Sequence, residues 1–194
     1  MKDIISDLEG FSSFKMPQKL VCIFGSARLS ENSPYYAKAK ELSSMLASSG
    51  YSILSGGGGG IMKAANEGAA GKNTHSIGLN IKLPFEQDTN EFVSHKFTFK
   101  SFSSRKFALI DSSLAFVVFP GGFGTLDELF EVLTLTQTGF KKSPIFLYGE
   151  QFWAGLDSFI KNTLQAQGLI SKEDLELYCV TDNLEFIKDK ISHI

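Results

Sequence analysis

The chain has 194 residues, of which 43% are hydrophobic and 21% are charged, and its formal net charge is −2. This length and composition predict a single globular domain over residues 1–194, with a core of its own. The charge balance excludes the broad basic surface that is typical of proteins binding nucleic acid or anionic membranes, but it allows a small anionic ligand to be held locally.

The sequence carries no signal for export or membrane insertion. Acidic residues occupy positions 3, 7 and 9, where a secretory signal would have a basic and then an apolar run. The longest apolar run, residues 114–119, has the length of a strand and is far too short to span a bilayer. Cys22 and Cys179 lie far apart in strand-like segments, which favours reduced thiols over a disulfide. We therefore expect a cytoplasmic protein without a membrane partner.

Strand-like and helical patterns alternate along the chain. Residues 1–18 lack clear periodicity and are expected to form an N-terminal arm or a short frayed helix. Strands are predicted at 20–24, 51–54, 75–81, 96–99, 114–119, 144–148 and 178–180, and helices at 34–48, 61–70, 103–111, 126–138, 152–167 and 184–191. This alternation predicts a doubly wound α/β fold, with a mostly parallel sheet of about seven strands and helices on both faces.

Three glycine-bearing turns follow predicted strands and should meet where ligands bind in such folds, at the carboxyl ends of the strands. The first contains Gly25 and Ser26, followed by Arg28, and is either a phosphate contact or a simple strand-to-loop turn. The second is a run of five glycines at 56–60 that opens a helix. So many glycines are expensive in backbone entropy, and close approach of Gly57, Gly58 and Gly59 to an anion would explain them.

The third turn reads Pro-Gly-Gly-Phe-Gly-Thr-Leu-Asp-Glu at 120–128. Gly121, Gly122 and Gly124 let amide groups turn toward a ligand, and Thr125 stands where we expect the helix N-cap. Thr125 and Glu128 also form the pattern of a capping box, in which Glu128 would only bond back to the helix start. The apolar stripe of the predicted helix leaves Glu128 off the core face, so it can cap, catalyse or do both.

Polar candidates outside the glycine turns are few. Arg105 and Lys106 form a basic pair just before the central strand, which is either a solvated helix edge or a grip on an anion. Glu86, in the polar loop at 83–87, is a further candidate contact. Phenylalanines concentrate in the same part of the chain, where most should be core or subunit contacts and one could stack on a purine: Phe85, Phe92, Phe97, Phe99, Phe102 and Phe107.

Several familiar chemistries lack their motifs. The glycine run at 56–60 has neither the spacing of a dinucleotide fingerprint nor the Gly-Lys-Ser/Thr of a P-loop. His75, His95 and His193 show no metal-ligand spacing, and there is no Gly-x-Ser-x-Gly elbow. No lysine stands out with the partners that a pyridoxal phosphate enzyme requires. We expect no metal and no cofactor.

These motifs together resemble the LOG (LONELY GUY) family of cytokinin riboside 5′-monophosphate phosphoribohydrolases, whose members are often labelled lysine decarboxylases. The resemblance extends over about residues 20–165 and is carried by 24–28, the glycine run, the basic pair and above all 120–128. It implies a Rossmann-like homodimer that cleaves AMP or N6-modified AMP to free base and ribose 5-phosphate.

The resemblance also implies roles for individual residues. The family's essential arginine and glutamate fall on Arg105 and Glu128, and its phosphate-binding turn falls on Gly121, Gly122, Gly124 and Thr125. A carboxylate near the anomeric carbon can stabilise the positive charge that develops on the ribose, or orient the attacking water. The alternative is a non-catalytic nucleotide-binding or cofactor-carrier protein on the same fold, because a fold does not fix a function.

Overall fold

The computed structural model describes residues 1–83 and 88–194. Two residues named above, Phe85 and Glu86, lie outside the described residues. The remaining chain forms seven strands in the order β4-β3-β2-β1-β5-β6-β7, and every neighbouring pair is parallel. The predicted doubly wound α/β fold is therefore confirmed.

The elements follow the predicted alternation closely. The strands are β1 (Leu20–Phe24), β2 (Ser52–Ser55), β3 (Ser76–Ile81), β4 (His95–Phe99), β5 (Ala115–Val118), β6 (Ile145–Tyr148) and β7 (Cys179–Thr181). The helices are α1 (Lys2–Ser12), α2 (Pro34–Ser48), α3 (Ile61–Ala69), α4 (Phe102–Asp111), α5 (Phe123–Gln137), α6 (Glu150–Phe159) and α7 (Leu184–Ser192). A π-helical segment, Ile160–Gln165, continues α6, and a short 3-10 helix spans Glu173–Glu176. Within the described part of the chain, no helix combines the length and apolar character needed to cross a membrane.

The sheet is covered on both faces because alternate residues of each strand point to opposite sides. In β1, Val21 and Ile23 pack in one apolar cluster with α2, α3 and α7. Leu20, Cys22 and Phe24 pack in the other cluster, with α4, α5 and α6. A strand buried on both faces carries an apolar run rather than an alternating pattern, which explains the sequence of β1 and β5.

The N-terminal segment differs from a loose arm. Residues Lys2–Ser12 form an α-helix whose Asp7 is buried against the start of α4. Phe11 packs on Phe97 and Phe99 of β4, with ring centroids 5.4 Å apart in both cases. These long-range contacts, which local periodicity does not report, hold the segment on the sheet.

Strand order reverses direction beside β1. From β1 the chain builds outward through β2 and β3 to β4, then returns to place β5 on the other side of β1. In open α/β sheets, the loops after the two strands flanking such a reversal diverge and leave a crevice. Here those loops are the first and third glycine turns.

Candidate functional site

The three glycine turns meet at the carboxyl ends of the strands through one residue, Ser26. Its amide donates a hydrogen bond to the carbonyl of Pro120 in the third turn, at 3.0 Å. Its carbonyl accepts from the amide of Ile61, the first residue after the glycine run, at 2.9 Å. The predicted convergence of the turns therefore results from backbone hydrogen bonds on both sides of Ser26.

A cavity of about 590 Å³ lies beside these turns. It brings together most of the predicted site residues, which are Gly25, Ser26, Arg105, Gly122, Gly124, Thr125 and Glu128. The wall also contains Arg28, which the first turn suggested as a phosphate contact, and apolar side chains that the sequence did not single out for this purpose, among them Met62, Ile81 and Leu83. Of the phenylalanines considered above, Phe102 lines the cavity within the described residues.

The glycine run contributes mainly by letting backbone segments pack closely. Gly60 has a φ of 59°, and a side chain there would overlap the carbonyl of Ser26. A side chain at Gly56 would overlap the guanidinium of Arg105. Among the described residues, Gly57, Gly58 and Gly59 do not line the cavity. Their direct contact with an anion stays a prediction, whereas the need for glycine at 56 and 60 has a structural cause.

A buried polar network, which the sequence analysis did not find, holds this run in place. The Ser55 hydroxyl accepts from the Gly57 amide at 3.0 Å and donates to the Asn66 side-chain oxygen at 2.7 Å. The Asn90 side-chain amide donates to the Gly58 carbonyl and to Asn66, each at 3.0 Å. These partners are far apart in sequence, so no local sequence motif predicts their hydrogen bonds.

The third turn starts its helix earlier than predicted. Helix α5 begins at Phe123 with Gly122 as its N-cap, so the prediction of Thr125 as N-cap is wrong. Thr125 is instead a buried residue in the first helical turn. The first amides of a helix have no partner within it, and Gly122 has no side chain to cap them. The amides at the start of α5 are therefore available to an anion at the cavity wall.

Glu128 faces Arg105 rather than the helix start, which excludes a purely capping role. The Nη1 group of Arg105 lies 3.3 Å from Oε1 of Glu128, and the two side chains are 8% and 14% exposed. The Nε group of Arg105 donates to the carbonyl of Leu79 at 2.6 Å, which fixes the plane of the guanidinium. Within the described part of the chain this arginine retains N–H groups that are free for a ligand.

Burial controls the acidity of Glu128. Burial of the Glu128 carboxyl raises its pKa to about 6, and the effect outweighs the opposing influence of Arg105. A carboxyl group with a pKa in this range exchanges protons readily near neutral pH, which is the property that a general base requires.

The two residues of the predicted basic pair, Arg105 and Lys106, lie in different environments. Lys106 forms ion pairs with Asp127 at 2.9 Å and with Glu131 at 2.6 Å, both on α5. Among the described residues, Lys106 and Gly121 do not line the cavity. Phosphate binding by Lys106 stays a prediction; the contacts that the structure records for it join α4 to α5.

The fold and the site define a Rossmann-like protein with an uncapped helix N-terminus beside a buried arginine–carboxylate pair. A protein-family model described as "Possible lysine decarboxylase" matches residues 62–191. The chain belongs to that family, the LOG family.

Individual relatives agree with this assignment. The cytokinin riboside 5′-monophosphate phosphoribohydrolase LOG1 of Arabidopsis thaliana is 31% identical over 156 residues, which cover 79% of this chain and 73% of the relative. LOG3 of the same plant, with the same named activity, is 29% identical over 174 residues, covering 88% and 80%. Among solved structures, the molybdenum cofactor carrier protein from Chlamydomonas reinhardtii superposes with a TM-score of 0.68 at 22% identity, covering 91% of this chain and 98% of that one. The last likeness shows the shared fold.

Two adjacent glycines of the third turn are expected to respond differently to alanine. A Cβ at Gly121 would lie 2.6 Å from the Cβ of Thr125 and 2.9 Å from its Cγ2, whereas a Cβ at Gly122 meets no atom within 4 Å. We expect Gly121→Ala to lower the free energy of unfolding by about 1–3 kcal/mol through overpacking. Gly122→Ala, the matched control, meets no atom but places a poorer residue at the N-cap, and it should cost less, about 0.5–1 kcal/mol. Urea unfolding measures both, and equal losses would contradict the assigned packing.

Proposed function

We propose that this protein hydrolyses the N-glycosidic bond of a purine nucleoside 5′-monophosphate, AMP or N6-modified AMP, to free base and ribose 5-phosphate. The observation that carries the proposal is a buried carboxylate, Glu128, on the same helix as an uncapped N-terminus. The activity named for the relatives LOG1 and LOG3 supports it. We assign the protein to the cytoplasm, since Cys22 and Cys179 are both free thiols.

The 5′-phosphate is proposed to bind at the start of α5. Anions are favoured there because unpaired amides and the helix dipole point toward them. Gly122 and Gly124 have open space where side chains would be, so a phosphate can approach the backbone closely. Gly124 and Glu128 are four residues apart and share a helix face, about 6 Å apart along the axis. That separation is comparable to the one between the 5′-phosphate and C1′ of a nucleotide.

Glu128 is proposed to act at the anomeric carbon. As the bond between C1′ and the base nitrogen breaks, its electron pair leaves with the base and positive charge develops on the ribose. The ionised carboxylate of Glu128 stabilises this charge and accepts a proton from the attacking water, whose oxygen bonds to C1′. The departing base nitrogen takes up a proton from solvent, and Glu128 releases to solvent the proton that it accepted from the water, so the net products are free base and ribose 5-phosphate.

Arg105 is proposed to orient both the carboxylate and the substrate. Its planar guanidinium is held by the Leu79 carbonyl on one side and contacts Glu128 on another. The remaining N–H groups can donate to oxygens of the ribose phosphate, with a geometry that lysine cannot reproduce. Binding energy from the phosphate then positions the scissile bond against Glu128.

Replacing Glu128 by glutamine is expected to abolish turnover and spare the fold. Because the folded-state pKa of about 6 exceeds the ordinary value of 4.5, ionisation of Glu128 lowers stability as pH rises from 4.5 through about 6. Glutamine removes this cost at pH 7.5 but leaves the buried Arg105 without its carboxylate partner, and because the two effects oppose each other the melting temperature should change little. The measurement is adenine release from AMP by chromatography, with AMP affinity from calorimetry. Wild-type protein that binds AMP tightly but releases no base from any purine monophosphate would favour the carrier function.

The same residue sets the expected pH profile of the wild-type enzyme. Only the ionised carboxylate can accept a proton from water, so kcat/KM for AMP should fall as pH drops through about 6. A profile that stays flat down to pH 5 would show that Glu128 is not the base.

Phe102 is proposed to contact the purine. It is the first residue of α4, lies on the cavity wall and is 54% exposed. Phe107 is equally exposed on the same helix and does not line the cavity, which makes it a matched control. We expect Phe102→Ala to raise KM for AMP about 5- to 100-fold through loss of stacking, and Phe107→Ala to leave KM unchanged. Steady-state kinetics measure the difference, and equal effects would remove Phe102 from the base site.

The protein is also proposed to act as a homodimer in which the active site borrows residues across the interface. Three large apolar side chains of α5 and the turn after it are exposed, namely Phe123, Phe130 and Phe140. Phe123 is 94% exposed at the mouth of the cavity, where a second subunit would cover it. Light scattering should give twice the chain mass, and Phe140→Asp should lower both mass and activity. A fully active monomer would contradict the proposal.

A further inference from the structure

Asp7 of the N-terminal helix holds the start of α4 with an unusual set of hydrogen bonds. It is 3% exposed. Its carboxylate accepts from the amide of Lys100 at 3.1 and 3.0 Å, from the amide of Ser101 at 2.9 Å and from the hydroxyl of Ser104 at 2.6 Å. Ser101 is the N-cap of α4, yet its own side chain caps nothing. Asp7 thus holds the residue before the N-cap, the N-cap residue itself and one side chain of the first turn from about a hundred positions earlier in the chain.

The helix whose start Asp7 holds carries two residues of the proposed site. Phe102 is its first residue and Arg105 follows three residues later, so both lie within its first turn and a half. Among residues 1–83 and 88–194, Asp7 and Arg105 are the most deeply buried charged residues, and Glu128 is 14% exposed. Asp7, from α1, holds the start of α4, and Arg105 extends from the beginning of α4 to Glu128.

We propose that Asp7 is a positioning residue that fixes the N-terminus of α4 and so sets the contact between the Arg105 guanidinium and Glu128. This inference rests on the function proposed above for Arg105 and Glu128. A carboxylate at a helix start complements the helix dipole. Its bonds to the Lys100 and Ser101 amides and to the Ser104 hydroxyl hold the entry into α4 and its first turn in one position. The ring of Phe11, packed on Phe97 and Phe99, keeps α1 in place to present that carboxylate.

Displacement of α4 would change the pKa of Glu128. The charged or titratable groups around this carboxyl are Arg105 and Lys106 from α4, Asp127 from its own helix and the Cys22 thiol from β1. Arg105 is the strongest influence that favours the ionised form. If the guanidinium moves away, burial acts with less opposition and Glu128 titrates at higher pH.

The test compares Asp7→Asn with Asp3→Asn, an exposed carboxylate of the same helix, in the full chain. An amide cannot accept all the hydrogen bonds that the carboxylate of Asp7 accepts. We expect Asp7→Asn to reduce kcat/KM for AMP about 10- to 100-fold, as small misplacements of catalytic groups do, and to move the acid limb of the profile to higher pH. Asp3→Asn should leave both unchanged. A lower melting temperature with an unaltered acid limb and kcat/KM would show that Asp7 is only structural, and would overturn the proposal.

A second measurement needs neither substrate nor turnover. The carboxyl group of Glu128 can be titrated by carbon-13 NMR in the unliganded protein and assigned by comparison with Glu128→Gln. The titration should move upward in Asp7→Asn, and in Ser104→Ala, which removes one of the bonds to Asp7 and serves if the first variant does not fold. An unchanged titration in either folded variant contradicts the positioning role. Absence of AMP cleavage by the wild type would instead overturn the proposed function. The titration would still test the role of Asp7, because it does not depend on turnover.

Discussion

The contact between Arg105 and Glu128 joins the two helices that form the sides of the cleft. Its 3.3 Å separation is long for an ion pair, and both side chains are largely buried. Burial of a charge is costly, and here the two groups compensate each other only in part, since the pKa of Glu128 still rises to about 6. The part of the cost of ionising Glu128 that Arg105 does not offset favours proton transfer to this carboxylate. A carboxylate that its partner stabilises fully has a low pKa and is a poor proton acceptor. A carboxylate whose pKa is raised by burial accepts protons near neutral pH.

Glycine serves two distinct purposes around this pair. Gly56 and Gly60 remove atoms that would otherwise collide with Arg105 and with the Ser26 carbonyl, so they allow protein groups to approach one another. Gly122 and Gly124 border open space at the start of α5, so they allow a ligand to approach the protein. The first kind allows the protein segments around the cleft to pack closely, and the second kind leaves the backbone amides at the start of α5 accessible.

The sequence predicted the sheet and most of the cavity wall because those features depend on local patterns. Apolar runs such as 114–119 indicate strands buried on both faces, and turns after parallel strands must meet at one edge. The prediction placed the N-cap of α5 at Thr125 instead of Gly122 because glycine and threonine are comparable N-caps, so the run from Gly121 to Thr125 offers several possible helix starts. The roles of Asp7, Asn66 and Asn90 could not be predicted, because each bonds to groups that only the tertiary fold brings near.

One similar structure with this fold is a cofactor carrier protein, whereas the sequence relatives are named as hydrolases. The fold alone therefore does not distinguish a binding protein from an enzyme. What distinguishes them physically is whether a reactive group faces the bound nucleotide. A carrier needs the anion-binding helix start but gains nothing from a buried carboxylate with a raised pKa. The match to the family model, residues 62–191, contains the third turn, Arg105 and Glu128. Ser26, which joins the turns, and Asp7, which holds the start of α4, lie before it. The proposed binding and bond cleavage would therefore depend on these N-terminal residues as well as on the matched segment.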